Sequence, residues 1–164
     1  MGKKYDGTEF FKMMADNELA VGAMYRKLAG DAKFGGKFFE KLAKDEDRHY
    51  HLYTALLDKF AQGQGPAAEV SDAEGQYLDL LIKNNSLRDA DELLQRVAKI
   101  TDKDEIYEIA ERAERDAVLF VTELIGLYPD LQPKEFQVVL QEEKDHLKQV
   151  LSRRMESKLT SLRL

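Results

Sequence analysis

Apolar positions recur with a helical period in four long stretches of the chain. The first runs from Thr8, placed to cap it, to about Asp31, and its inward stripe reads Phe11, Met14, Glu18, Val21, Tyr25, Leu28. Gly35 and Gly36 break the chain there. A second helix is predicted from about Lys37 to Gln62, with the face Phe39, Leu42, Glu46, His49, Tyr53, Leu56, Phe60. Beyond Gly63, Gln64, Gly65 and Pro66 the texture changes. Short apolar clusters around Tyr77 to Ile82 and Leu93 to Ile100 predict two brief helices starting near Ser71 and Asp89, inside a connection that reaches Lys103. The third long helix is predicted from about Asp104 to Leu127, with the stripe Tyr107, Glu111, Glu114, Val118, Val121, Ile125. The last starts around Pro133, a suitable first-turn residue, and continues to about Leu159, with the face Phe136, Val139, Glu143, His146, Val150. The predicted class is all-α, a four-helix bundle whose second and third main helices run parallel because a long crossover joins them. At 164 residues the chain has one domain's length, so residues 1–164 are expected to form a single domain.

Each long stripe is broken at mid-length by a polar residue where the period calls for core: Glu18, then Glu46 with His49, then Glu111 with Glu114, then Glu143 with His146. A Glu and a His three residues apart share one helix face, so Glu46–His49 and Glu143–His146 are candidate metal clamps. His51 falls off its stripe and reads as a surface residue, and Glu142 points about 100° away from the inward face. The net charge is −6, and setting aside Glu18, Glu46, Glu111, Glu114 and Glu143 leaves −1, so the acidity is concentrated in these five. Five buried carboxylates without compensation would repel one another and protonate, whereas two divalent cations reverse that cost. With no Cys in the chain, any metal must be held by oxygen and imidazole. The surplus of acid argues against nucleic acid as a partner. No run of about 18 apolar residues is present to span a membrane, and no apolar stretch follows the two Lys near the start to serve as a signal peptide, so a cytoplasmic location is expected.

One Glu, a Glu-x-x-His, a further Glu and a second Glu-x-x-His on four successive helices resembles the ferritin-like di-iron carboxylate superfamily. Within it the chain is most similar to the rubrerythrin family, on two details: Tyr25 follows Glu18 by seven residues, and the third helix carries Glu111-x-x-Glu114 followed by Phe120. The resemblance implies a ferritin-like bundle in which Glu46 and Glu143 bridge two irons, Glu18 is terminal on one, and Glu111 with His146 serves the other. It further implies that Glu114 is an additional ligand that His49 replaces on reduction, and that Tyr25 bonds to a ligand carboxylate. Glu114, His49 and Tyr25 are thus the expected catalytic residues. Iron is the expected metal, with manganese as the alternative. The implied activity is reduction of hydrogen peroxide or O2 in oxidative-stress defence, by a homodimer. Rubrerythrins proper carry a rubredoxin module with four Cys, which this chain lacks, so a separate rubredoxin-like electron donor is expected. The competing expectations are a ferritin-type ferroxidase that stores iron within a closed shell, and a non-enzymatic metal-binding helical module.

Overall fold

The structure, a computed structural model, describes residues 2–65, 67–130 and 134–163. The expected role of Pro133 in opening the last helix, and the place of Pro66 in the break after the second, lie outside the described residues. Among the described residues, six α-helices account for most of the chain: α1 Thr8–Ala29, α2 Gly36–Ala61, α3 Asp72–Lys83, α4 Ala90–Lys99, α5 Lys103–Leu127 and α6 Glu135–Leu162. The all-α expectation holds at this level. No helix among the described residues is long and apolar enough to cross a membrane. The departure is a small antiparallel pairing that the sequence pattern did not suggest, β1 Lys3–Tyr5 against β2 Ala68–Val70, with Lys3 opposite Val70 and Tyr5 opposite Ala68.

Thr8 opens α1 without capping it. Its amide and hydroxyl both donate to the Asp6 carboxylate, at 3.0 and 2.6 Å. Ser71 and Asp89 do cap α3 and α4, accepting from the amides of Glu74 and Glu92, as their side-chain chemistry predicts. The turn between α1 and α2 depends on its two glycines: Gly35 has φ of +90°, and a Cβ on Gly36 would lie 2.7 Å from the Ala29 carbonyl oxygen.

α1 and α2 pair as an antiparallel hairpin: the Phe11 ring packs on Phe60 and, at the other end, Tyr25 stacks on Phe39. α5 and α6 pair likewise, with Arg154 beside Asp104 and His146 beside Glu114. Two apolar clusters fill the interior. One gathers Tyr25, Phe39, Leu42, Tyr107, Ala110 and Val150; the other gathers Phe10, Phe11, Tyr53, Phe120, Phe136 and Val139. The buried acids and histidines occupy the layer between them.

Candidate metal centre

The inward stripes predicted for α1 and α6 are buried throughout, and that of α2 is buried from Phe39 to Leu56. That places Glu18, Glu46, His49, Glu143 and His146 inside, together with Glu114 of α5. α1 and α2 lie close at this level: a Cβ on Gly22 would meet the Glu46 side chain at 3.4 Å, an ordinary contact.

These six residues form two groups that share Glu46 and Glu143: Glu18, Glu46, His49 and Glu143 in one, Glu46, Glu114, Glu143 and His146 in the other. Within each group the ligand atoms lie within 4.8 Å of one another. The shared carboxylates divide their oxygens between the groups. His49 Nδ1 is 3.4 Å from Glu46 Oε2, 3.0 Å from Glu143 Oε1 and 3.7 Å from Glu18 Oε2. His146 Nδ1 is 3.3 Å from Glu46 Oε1, 3.4 Å from Glu143 Oε2 and 3.6 Å from Glu114 Oε2.

The outer edges of both rings are held by acids that the pattern of inward positions passed over. His49 Nε2 lies 2.9 Å from Glu142, and His146 Nε2 lies 3.1 Å from Asp45. The support is reciprocal: α6 steadies the imidazole of α2, and α2 that of α6. Arg48 ties the two supports together, donating to both oxygens of Glu142 at 2.9 Å and to Asp45 at 3.1 Å. A signal for them exists in the sequence, because each clamp is preceded by an acid, Asp45-Glu46 and Glu142-Glu143. Tyr25 donates to Glu114 Oε1, the carboxylate contact the resemblance implied. One turn beyond His49, the buried Tyr53 hydroxyl has no hydrogen-bond partner.

Glu111 is the correction. The structure does not bring it to either group; its carboxylate meets Arg154 at 2.7 Å and Arg115 at 2.9 Å, and Arg154 foremost holds it below the usual carboxylate range. The face of α5 is rotated from the predicted one, burying Ala110 and Ala113 beside Glu114 and leaving Glu111 on the edge. Glu114, not Glu111, therefore accompanies His146. The proposed exchange of His49 for Glu114 also finds no common position, since the two residues belong to different groups.

Burial raises Glu18 well above the usual carboxylate range, with Glu143 and Glu46 adding to it, and burial followed by Glu46 pushes Glu114 up to about 8. Burial works against the charged forms of His49 and His146, but the facing carboxylates outweigh it, so both rings bind protons more tightly than usual. Burial also opposes ionisation of Glu46, yet the neighbouring Glu18 and both nearby imidazoles overcome it and keep this carboxylate low. Outside the layer, His146 foremost keeps Asp45 ionised, so His146 Nε2 donates and Nδ1 faces the shared acids.

Glu46 Oε1, Glu114 Oε2, both oxygens of Glu143, and Nδ1 of each histidine are buried without a hydrogen-bond partner. Each such atom costs about 1–3 kcal/mol if left unsatisfied. A cation in each group would give these atoms a partner, and an oxygen and imidazole donor set suits iron or manganese. The four site carboxylates also match the charge of two divalent cations with both imidazoles neutral. Comparison of the chain with family models, curated proteins and solved structures finds no match in any of the three.

Proposed function

We propose that the protein is a non-haem di-iron oxidoreductase of rubrerythrin type, reducing hydrogen peroxide or O2 in oxidative-stress defence. The observation that carries this reading is the division of the Glu46 and Glu143 oxygens between His49 and His146, which fits two carboxylates bridging a pair of metal ions. Glu18 and His49 complete one position, Glu114 and His146 the other. The fold proposed is a ferritin-like four-helix bundle. Supporting it, Phe39 stacks on Tyr107 and Glu46 joins Glu114, so α2 and α5 point the same way with α3 and α4 in the crossover.

Two ferrous ions held there would supply two electrons, enough to take hydrogen peroxide to two waters, or O2 as far as hydrogen peroxide, with two protons in either case. The two carboxylate and histidine groups would hold the ions, the apolar clusters on either side would keep them dry, and Tyr25 braces Glu114. Re-reduction calls on an electron donor outside these 164 residues, which contain no Cys.

A second reading gains from the position of Glu111, because one of the two details favouring rubrerythrin over its relatives depended on that residue. A ferritin-type ferroxidase, for which ferrous iron is the substrate, uses the same donors. Anaerobic titration of metal-free protein with ferrous iron should saturate at two ions per chain, and stopped-flow mixing should show faster oxidation by peroxide than by O2. Fewer than two ions per chain removes both readings. A large hollow particle on size-exclusion chromatography, with O2 the faster oxidant, selects the ferroxidase.

A further inference from the structure

The carboxylates Glu18, Glu46 and Glu114 line one side of a small cavity under the seam between α1 and α5. The cavity has a volume of about 10 Å3, room for one water-sized molecule. It exists because α5 presents Ala113 and Ala117 where larger side chains would close the gap. The histidines are not part of its lining; they lie toward α2 and α6, so the cavity meets the centre on its carboxylate side.

Over this gap lies the turn at 84–89 between α3 and α4. Asn85 is buried and makes a double hydrogen bond with the buried Asn17 of α1, at 2.7 and 3.1 Å. The same Asn85 carbonyl accepts from the Leu87 amide at 3.3 Å. On the other side of the seam, the Ser86 hydroxyl donates to Asp116 of α5 at 3.0 Å. The turn is thus fastened to both helices, and between the fastenings the buried Leu87 side chain forms part of the cavity wall. Paired amides in an apolar surround fix one position sharply.

We propose that the Asn85–Leu87 turn is a size filter on the oxidant: it admits hydrogen peroxide or O2 to the carboxylate side of the centre and refuses organic hydroperoxides. This rests on the di-iron reading above. Hydrogen peroxide takes two electrons and two protons to give two waters, and an organic hydroperoxide takes the same to give an alcohol and water. The chemistry does not discriminate between them, so any discrimination has to come from access.

The test has one arm that needs no iron. Metal-free wild-type protein should exclude xenon from the seam and Leu87→Ala should take it up, read by xenon NMR shifts or by crystals under xenon pressure. In the second arm, iron-loaded wild-type protein should be oxidised by hydrogen peroxide about 100-fold faster than by cumene hydroperoxide, and Leu87→Ala should narrow that ratio about tenfold through the bulky oxidant alone. Leu87→Phe should slow hydrogen peroxide about tenfold while two irons stay bound, which decides the matter if the alanine variant does not fold. Equal rates for the two oxidants in wild-type protein, or a ratio unmoved by either variant, overturns the filter. Xenon uptake by Leu87→Ala with no oxidation by any peroxide overturns the di-iron reading instead, and the filter with it, while leaving the turn as the cover of the seam.

Discussion

Glu46 and Glu143 each face both groups, whereas Glu111 faces neither. Replacing Glu46 or Glu143 by Ala should therefore abolish binding of both metals, and Glu111→Ala should leave two metals bound and cost within about 1 kcal/mol, because its ion pairs are part-exposed. Metal analysis with thermal melts separates these outcomes. Asp45→Asn keeps the size of the group but removes the charge behind His146, and a loss of about 10–100-fold in metal affinity at that position is expected, read by competitive chelation. The spacing of Glu18, Glu46, His49, Glu143 and His146 was legible because large apolar neighbours mark the inward face on both sides. On α5 the inward positions beside Glu114 are alanines, which carry little signal, and the acid one turn earlier read as equally inward. Asp45 and Glu142 escaped because each serves a ring on the opposite helix, a relation that no single-helix pattern contains.

The helices were legible where they are long and stripe-bearing, and their bounds shifted only by a residue or a few, as at the start of α5 and the end of α6. The β1–β2 pairing was not, since each strand has three residues and its partner lies far along the chain. The α1–α2 hairpin rests on one turn in which backbone approaches backbone at Gly36. Gly36→Ala should destabilise the protein by about 1–3 kcal/mol, seen as a lowered urea midpoint with unchanged slope. An equal loss on replacing an exposed residue such as Lys44 by Ala would deny the turn that importance.

Across the whole molecule the central layer makes stability depend on pH, with a sign set by the metals. Glu114, held near 8 in the fold against 4.5 for the ordinary group, keeps its proton in the folded state while the unfolded chain has lost it, so stability falls as pH rises through that window. The imidazoles act the same way: their contribution is complete below about 6.5 and is lost as pH climbs towards their raised folded values. Glu46, lowered in the fold, contributes above its ordinary value and loses that contribution only in acid, below this window. Metal-free protein should accordingly melt at progressively lower temperature from about pH 5 to pH 9. Iron-loaded protein should show the reverse, since the ions displace those protons. Thermal melts of both forms across the range check the crossing.

The shared acids have a mechanical consequence as well. Glu46 belongs to one hairpin and Glu143 to the other, and each hairpin lends a brace to its opposite's imidazole, so ions bound there would act as a clasp between two halves. Stripping them with a chelator should speed amide exchange in the middle turns of all four long helices while both greasy ends stay protected. Release of iron and loosening of the waist would then be one event, occurring at one rate.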